Sequence, residues 1–312
     1  MKIAYLILCH IDPDHIARLV RKITDGTEHT AFVHVDAKSD RKIFEAALCD
    51  CSRSVVVGGS VDVRWGGFRA VEATVGLMKA AMAHGDYDRF VLMQGLEYPI
   101  KSNEEILSFF QEHPKTEFIL AQNISQSKEK RETHKYRLFY FLDHSNVFPV
   151  RILHWLNHQM LKCGIVPHCK PAHAVSRLGQ KMDIHQGCAQ FALTREAVEY
   201  VIRFHMDNPR FNRYFRSVYA ADEAYFHTII YNSHLIENTP DGRAVFRPHL
   251  TNFQNVTFFE YPKKVTIFKR KEDWPKLAQS GFLFFRKATS ESKELLDYID
   301  EIHSAGCRGE RI

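Results

Sequence analysis

Ile3-Ala-Tyr-Leu-Ile-Leu-Cys9, near the start of the chain, is an unbroken apolar run of the kind that forms a strand buried on both faces of a parallel sheet. Asp12 and Pro13 follow, and these residue types favour the N-cap and the first turn of a helix. Apolar residues then recur at helical spacing over residues 16–23. The opening of the chain therefore predicts a strand followed by a helix.

The same alternation continues to residue 121. Apolar runs predict further strands over residues 31–36, 54–58, 89–94 and 118–121. A regular 3-4-3-4 spacing from Phe68 to Met82 predicts an amphipathic helix, and a second helix, capped by Asn103, is expected to continue to Gln111. Strands that alternate with helices are typical of an α/β fold with a Rossmann-like, mostly parallel sheet flanked by helices.

The second part of the chain, residues 122–312, has a different character. A polar, basic stretch over 126–137 precedes a predicted helix over 150–161, with Ile152, Leu153, Leu156 and Met160 on one face. The remaining predicted elements are a strand over 189–193, a helix from Thr194, a helix over 221–231, short strands over 244–247 and 265–268, and a final helix over 295–302. Because no repeat and no Gly/Ser-rich linker interrupts the sequence, we predict one domain with two halves, 1–121 and 122–312.

The amino-acid composition limits the classes of function that the chain can have. Over 312 residues, 42 Lys and Arg against 37 Asp and Glu give a net charge of only +5, which does not indicate a nucleic-acid-binding protein. An anionic ligand or an acidic membrane surface remains compatible with it. No apolar run is long enough to span a bilayer, no signal peptide is recognised, and the 7 cysteines include no CxxC pair. We therefore expect free thiols in a reducing, cytoplasmic compartment.

Nucleotide-binding motifs of the common kinds are missing. Neither GxGxxG nor GxxxxGK[ST] occurs, which excludes dinucleotide-dependent dehydrogenases and P-loop enzymes. An open α/β sheet binds its ligand beyond the carboxyl ends of its strands. The polar and aromatic residues at or after those predicted ends are His10, His34, Asp36, Arg64, Trp65 and Glu97. Taken singly, each is a weak signal, and for Asp36 and Gly66 a capping or turn role is as compatible with the sequence as a ligand contact.

Six blocks of sequence carry a more specific signal. They are FVHVDAKS (32–39), VRWGGFRAVEAT (63–74), LMQGLEYPIKS (92–102), GCAQFALTREAVEYV (187–201), ADEAYFHT (221–228) and LFFRK (283–287). In these blocks the chain resembles glycosyltransferase family 14, which groups core-2/I-branching β-1,6-N-acetylglucosaminyltransferases with peptide O-xylosyltransferases. The resemblance implies a GT-A fold, with residues 1–121 as the nucleotide-sugar-binding half and residues 122–312 as the acceptor-binding and catalytic half.

The resemblance also implies the chemistry, an inverting transfer of a sugar from a UDP-sugar to a glycan hydroxyl. N-acetylglucosamine is the expected sugar, with UDP-xylose-dependent transfer and a non-catalytic module that binds glycans or anionic surfaces as alternatives. Single displacement needs one carboxylate as general base, and Glu223 matches the family's base. On spacing alone, Asp222 and Glu223 would be read as capping residues of the helix that follows.

No metal ion or other cofactor is expected, because the predicted strand end at residues 95–97 carries one carboxylate, Glu97, instead of an Asp-x-Asp motif. Without a metal, fixed positive charges must stabilise the leaving UDP. The resemblance assigns this role to Lys287 and to Lys263 or Lys264, and Arg286 is a further candidate.

The donor-binding residues are accordingly predicted to be His10, His34, Asp36, Arg64, Trp65, Lys263, Lys264, Arg286 and Lys287. The acceptor-binding residues are predicted to be Glu97, Glu132, Lys135, Arg137 and Trp155. The expected acceptor is a glycan or a lipid-linked glycan. The aromatic residues of the 126–161 segment could instead rest on a membrane, which would make the protein peripheral at the inner face of the membrane.

Overall fold

The computed structural model describes residues 1–128, 130–165, 169–242, 254–261 and 264–307. The strands are β1 (Ile3–Cys9), β2 (Thr30–Val35), β3 (Ser54–Val56), β4 (Arg89–Met93), β5 (Glu97–Pro99), β6 (Ala121–Asn123), β7 (His173–Val175), β8 (Lys181–Asp183), β9 (His185–Gly187), β10 (Ala192–Thr194), β11 (Thr257–Phe258) and β12 (Phe284–Arg286). The α-helices are α1 (Pro13–Thr24), α2 (Arg41–Ala47), α3 (Arg69–His84), α4 (Asn103–Glu112), α5 (Lys130–Arg137), α6 (Phe148–Lys162), α7 (Arg195–Asp207), α8 (Pro209–Phe215), α9 (Tyr225–Tyr231), α10 (Trp274–Gln279) and α11 (Lys293–Cys307).

A five-stranded sheet with the order β10-β4-β1-β2-β3 forms the centre of the fold. Strands β4, β1, β2 and β3 are parallel, and β10 is antiparallel to β4 at one edge. Alternate residues of β1 enter different cores: Leu6 packs in the core that contains α3, whereas Tyr5 and Ile7 pack in the core that contains α1 and α11. The predicted α/β fold, with a mostly parallel sheet flanked by helices in a single domain, is confirmed.

The predicted fifth strand over 118–121 is wrong. Among residues 118–120 only Phe118 forms a β-bridge, to Ala192, and β10 occupies the position beside β4. Buried Glu117 reinforces this arrangement, since its carboxylate accepts hydrogen bonds from the backbone N–H and the hydroxyl of Thr194. Residues 121–123 then pair with β9 instead, as β6.

The predicted cap of α4 is also wrong by one residue. Ser102 has the extended backbone of an N-cap, and its hydroxyl accepts a hydrogen bond from the Glu105 N–H at 3.2 Å. The Glu105 carboxylate accepts in return from the Ser102 N–H at 2.8 Å, which completes a capping box. The Asn103 side chain donates instead to the Lys22 carbonyl. In α1, by contrast, the predicted cap Asp12 is confirmed by its contact with the His15 N–H.

A second, three-stranded sheet holds β12 between β11 and β5. Its antiparallel register sets Arg286 opposite Glu97. The predicted strand over 265–268 is not formed, although Thr266 and Phe268 each exchange one backbone hydrogen bond with Lys287. The predicted strand over 244–247 lies outside the described residues.

Two predicted helices of the second half bear on function, and one of them is divided in the structure. Residues 221–231 form a short 3-10 turn, Ala221–Glu223, followed by the separate helix α9. Helix α6 forms where it is predicted, but Asn157 faces inward and donates a hydrogen bond to the Phe139 carbonyl, so Ile152 and Leu156 are exposed. In the part of the chain that the structure describes, no helix is both long and apolar enough to cross a membrane.

Candidate active site

The turn that carries Glu223 is built against the loop that carries Trp65. Ala220 has the left-handed backbone conformation, with φ 53° and ψ 61°, and the Ala221 N–H donates to the Gly66 carbonyl at 3.2 Å. Gly66 also has a positive φ of 72°, and a Cβ there would lie only 3.3 Å from the Ala220 nitrogen. The close approach of the two backbones therefore brings Trp65 and Glu223 to the same region.

The Glu223 carboxylate is anchored through one of its two oxygens. Oε2 accepts a hydrogen bond from Gln186 Nε2 at 3.1 Å and lies 3.5 Å from Lys135 Nζ. Among the described residues, none donates a hydrogen bond to Oε1. The side chain keeps 36% of its surface exposed. Glu223 is thus oriented by two partners while one oxygen stays available to a ligand.

Asp222 shares this turn and affects the charge of the pair. Burial, and next the negative charge of Glu223, raise the pKa of Asp222 to about 7. The side chain of Asp222 does not cap α9, because the N-cap position is Ala224. The N-cap role expected for Asp222 is therefore wrong, although Asp222 does lie in the first turn of the 3-10 helix that precedes α9. Near neutral pH Asp222 holds a proton for part of the time, which relieves the repulsion between the neighbouring carboxylates.

Three aromatic rings form a wall beside the carboxylate, which we call the aromatic wall: Trp65, Tyr219 and Tyr140. The Trp65 and Tyr219 rings meet edge to face with centroids 5.4 Å apart, and the Tyr219 and Tyr140 rings do so at 5.3 Å. Lys135 Nζ lies 5.8 Å from the centre of the Tyr219 ring, which joins the wall to Glu223. Trp65 is 75% exposed and presents its ring to solvent.

A second group of residues surrounds Arg286. Its Nη1 donates to Gln94 Oε1 at 3.1 Å, and its Nε lies 3.7 Å from Glu97 Oε1. Glu97 is fully buried, and its Oε2 accepts from the backbone N–H groups of Gln94 and Leu96 at 2.9 and 3.0 Å. Next in sequence, Lys287 is half-buried, and burial together with the charge of Arg286 lowers its pKa. Arg286 and Lys287 therefore offer two adjacent positive charges at the end of β12.

Residues 186–190 connect the two groups. Gln186 holds Glu223, the Cys188 thiol donates to Gln190 Oε1 at 2.7 Å, and Gln190 Nε2 lies 3.3 Å from Glu97 Oε1. Burial raises the pKa of Cys188 to about 12, with Arg286 acting against the rise and both Glu223 and Glu97 adding to it. Because the charges of Arg286, Glu97 and Glu223 all act on the Cys188 thiol, Glu223 and Arg286 lie near this one segment.

The predicted residues at the first strand ends divide into two sets. His34 Nε2 accepts from the Val61 N–H at 3.0 Å, and burial lowers the His34 pKa, which keeps the ring neutral. The buried Asp36 carboxylate accepts from the Val63 N–H at 3.1 Å and pairs with Lys38. Both side chains therefore fix the segment that leads to Arg64 and Trp65. His10 is exposed, and Arg64 lies 3.6 Å from Asp62.

The predicted acceptor-binding residues are not all brought together. Lys135 contacts Glu223, whereas Glu97 lies with Arg286 because β5 pairs with β12. Glu132 accepts from the Ser127 hydroxyl at 2.6 Å, and Arg137 is half-buried at the end of α5. Trp155 lies on the outer side of α6. Their roles stay predictions, as do those of exposed Lys264 and of Lys263, which is outside the described residues.

The structure adds partners that the sequence did not single out. Gln186 and Tyr219 have no motif of their own, and their contacts with Glu223 and Lys135 span long separations in sequence. Gln190 does belong to one of the six blocks, GCAQFALTREAVEYV, so it could have been found there. Within the described residues, no group of three or more His, Cys, Asp and Glu side chains is arranged to hold a metal ion.

Comparison with known proteins identifies a family and several relatives. A family model described as Core-2/I-Branching enzyme matches residues 3–254. Xylosyltransferase 2 of Rattus norvegicus is 23% identical over 250 residues, which covers 78% of this chain and 26% of the relative. A β-1,3-galactosyl-O-glycosyl-glycoprotein β-1,6-N-acetylglucosaminyltransferase of Bos taurus is 24% identical over 231 residues, covering 73% and 48%. The chain thus spans a quarter to a half of these relatives. A crystal structure of mouse xyloside xylosyltransferase 1 in its apo form shares 13% identity, over 75% of this chain and 83% of that one, with a TM-score of 0.33.

Proposed function

The chain belongs to the Core-2/I-Branching enzyme family, and we propose that it is a glycosyltransferase that moves a sugar from a UDP-sugar to a glycan hydroxyl with inversion. The observation that carries this proposal is the state of Glu223. Its Oε2 is held by Gln186 and Lys135, and its Oε1 is available beside an exposed aromatic ring. That arrangement suits a base that must be oriented before it meets its substrate.

In the proposed reaction, Glu223 accepts the proton of the acceptor hydroxyl while the hydroxyl oxygen attacks the anomeric carbon of the donor. The new glycosidic bond forms as the bond to UDP breaks, and UDP leaves with the bonding electron pair. Asp222 supports this role. Its raised pKa makes Asp222 hold a proton for part of the time near pH 7, which relieves the repulsion between the two neighbouring carboxylates.

The leaving UDP carries the negative charge that develops in the transition state. Arg286 and Lys287 are positioned to stabilise it, since they are adjacent and partly shielded from solvent. Electrostatic stabilisation of this kind is usually the largest single contribution to catalysis. Lys264 and Lys263 complete the proposed set of cations. We propose that the donor binds between Arg286 and Glu223, along residues 186–190.

Metal-independent transfer is part of the proposal. The strand end after β4 offers one carboxylate, Glu97, which is already bound to two backbone N–H groups and faces Arg286. Within the described residues no other acidic cluster replaces an Asp-x-Asp motif. The two positive side chains would then do the work that a cation does in metal-dependent enzymes.

N-acetylglucosamine is the sugar we propose, and xylose is the alternative that the similarity to xylosyltransferase 2 favours. The ring of Trp65 would stack on a sugar of the acceptor, with Lys135 close to its hydroxyl groups. We propose a cytoplasmic location as well, because Cys9, Cys51, Cys188 and the other cysteines whose side chains are described are free thiols.

The test is a UDP-release assay with a panel of nucleotide sugars, run on the wild type and on Glu223→Gln, each with and without EDTA. We expect release from UDP-N-acetylglucosamine or UDP-xylose that EDTA leaves unchanged and that the variant largely loses. Release that vanishes in EDTA and returns with Mn²⁺ would contradict metal independence. No release from any donor, with folded protein, would instead favour a non-catalytic binding module.

A further inference from the structure

The outer side of α6 carries a stripe of large apolar residues with no partner among the described residues. Phe148 is 71% exposed, Ile152 44%, Trp155 59% and Leu156 45%. These positions are related by steps of three and four residues, so they share one face of the helix. Buried Asn157 faces the opposite way, toward the Phe139 carbonyl, which fixes the outward orientation of the stripe.

The stripe extends beyond both ends of the helix. Val147, the residue before α6, is 45% exposed, and Ile165, shortly after it, is 54% exposed. We call this whole set, with Phe148, Ile152, Trp155 and Leu156, the α6 surface. A single exposed apolar residue needs no explanation, but six large apolar residues exposed on and beside one helix indicate a surface that is covered in use.

The charges around the stripe favour one kind of binding partner. Residues 148–162 contain no Asp or Glu, whereas Arg151, His158 and Lys162 are exposed on the same side of the helix as Trp155. A two-fold contact with a second copy would set the same basic helix against itself, which like charges oppose. An apolar face flanked by basic side chains matches the interface of an anionic membrane. The helix is too short to cross a bilayer, so it would lie in the plane of the interface.

We propose that the α6 surface docks the protein onto an anionic phospholipid bilayer. Apolar side chains enter the boundary between headgroups and acyl chains, and Arg151 and Lys162 contact the phosphate groups.

Contacts between side chains link this surface to the candidate active site. His154 of α6 packs on Tyr140 with ring centroids 6.0 Å apart, and Tyr140 belongs to the aromatic wall. The wall leads through Tyr219 to Trp65, next to Glu223. Docking would therefore hold the site near the bilayer, where a lipid-linked glycan presents its sugar. This statement about the acceptor rests on the proposed function, whereas the docking itself does not.

The experiment is cosedimentation of the full chain with vesicles of phosphatidylcholine alone, or of equal parts phosphatidylcholine and phosphatidylglycerol. We expect the wild type to pellet with the anionic vesicles only, and high salt to weaken this binding. Arg151→Gln with Lys162→Gln should reduce vesicle affinity about 25-fold, since each basic residue near an anionic surface contributes about fivefold. Phe148→Ser with Ile152→Ser should reduce it about tenfold or more.

The matched control is Lys42→Gln with Ile43→Ser on α2, which also removes one exposed basic residue and one exposed apolar residue. It should bind as the wild type does. All variants should unfold at the wild-type temperature, because the replaced side chains are exposed. The proposal would be overturned if the wild type does not bind anionic vesicles, or if the α6 variants bind them as the wild type does. Either result would point to a protein partner for this surface. Donor hydrolysis in the absence of vesicles separates the two proposals: it should be equal in the wild type and the α6 variants, and its absence throughout would refute only the proposed function.

Discussion

Replacing Glu223 by Gln keeps the shape of the side chain and removes its ability to accept a proton. The amide oxygen can still accept the hydrogen bond from Gln186 Nε2, which the carboxylate accepts at 3.1 Å. Lys135 loses its counter-ion at 3.5 Å, but both partners are partly exposed, at 24% and 36%. A pair with this exposure contributes at most about 1 kcal/mol to stability. The variant should therefore fold.

The expected loss is in the chemical step. General-base catalysis contributes about 10²–10⁴-fold in rate, which corresponds to about 3–5 kcal/mol in the barrier. Glu223→Gln should lower the transfer rate at saturating donor by at least about 100-fold. The affinity for UDP should hardly change, because Arg286 contacts the other end of residues 186–190, through Glu97 and Gln190.

Three measurements test this expectation together: the melting temperature, UDP affinity by calorimetry, and the rate of transfer or donor hydrolysis. Gln186→Ala provides a graded comparison, because it leaves the base present but less well oriented. We expect it to lower the rate by about tenfold and to shift the pH profile, since the base then has one partner fewer. Transfer by folded Glu223→Gln at close to the wild-type rate would refute the assignment of the base.

Three further predictions follow from other parts of the site. Burial and Glu223 raise the Asp222 pKa from 3.8 to about 7, so the folded state binds this proton more tightly than the unfolded state does. The free energy of unfolding should therefore fall as pH rises through that range. Urea denaturation of Asp222→Asn should show a smaller fall. Lys287→Ala should weaken UDP binding by about 1.5–3 kcal/mol, measured by calorimetry, since it removes a charge-assisted contact. Gly66→Ala should lower the free energy of unfolding by about 1–3 kcal/mol, because its φ of 72° strains any side chain and its Cβ would lie 3.0 Å from Leu142 Cδ1.

Each of these three predictions has a control measurement or a control variant of the same protein. An equal pH dependence in wild type and Asp222→Asn would mean that Asp222 is not the group that titrates. Lys293→Ala removes a mostly exposed charge on α11 and should leave UDP affinity unchanged; if Lys287→Ala behaves the same way, its charge does not reach the diphosphate. Gly58→Ala meets no atom within 4 Å, so a loss of stability as large as that of Gly66→Ala would contradict the packing argument.

Local sequence was sufficient to predict an element where no second segment of the chain was equally suited to its position. The run Ile3–Cys9 forms β1 with the predicted bounds, and Asp12 caps α1 as expected. The position beside β4 was different, because two apolar segments, 118–121 and 189–193, are equally suited to it. The pairing of β10 with β4 is a long-range choice, and the buried Glu117 that joins the segments has no local signature.

The spacing of apolar residues in α6 also predicts only part of the structure. It identifies residues that share a face of the helix, such as Ile152 and Leu156, but it does not state which side meets the core. A single inward hydrogen bond from Asn157 turns the apolar face outward. Asn157 is one of several polar residues of α6, with Arg151, His154 and His158, so no local pattern marks it as the residue that faces inward.

The candidate active site was predictable only in part, because most of its contacts join residues far apart in sequence. Spacing alone favours a capping role for the Asp222–Glu223 pair, and the resemblance to a family was needed to select Glu223 as a base. Its partner Gln186 lies 37 residues away, and Tyr219 is brought to Lys135 by the packing of separate segments. Contacts of this range are set by tertiary structure, which no local pattern encodes.

The central claim, inverting transfer from a UDP-sugar, is tested most directly by proton NMR of the sugar released from an α-linked UDP-sugar in the presence of EDTA. Single displacement by water predicts that the β-anomer appears first and then equilibrates with the α-anomer, and that Glu223→Gln releases almost none. Early appearance of the α-anomer would contradict the account, because retention requires a different mechanism.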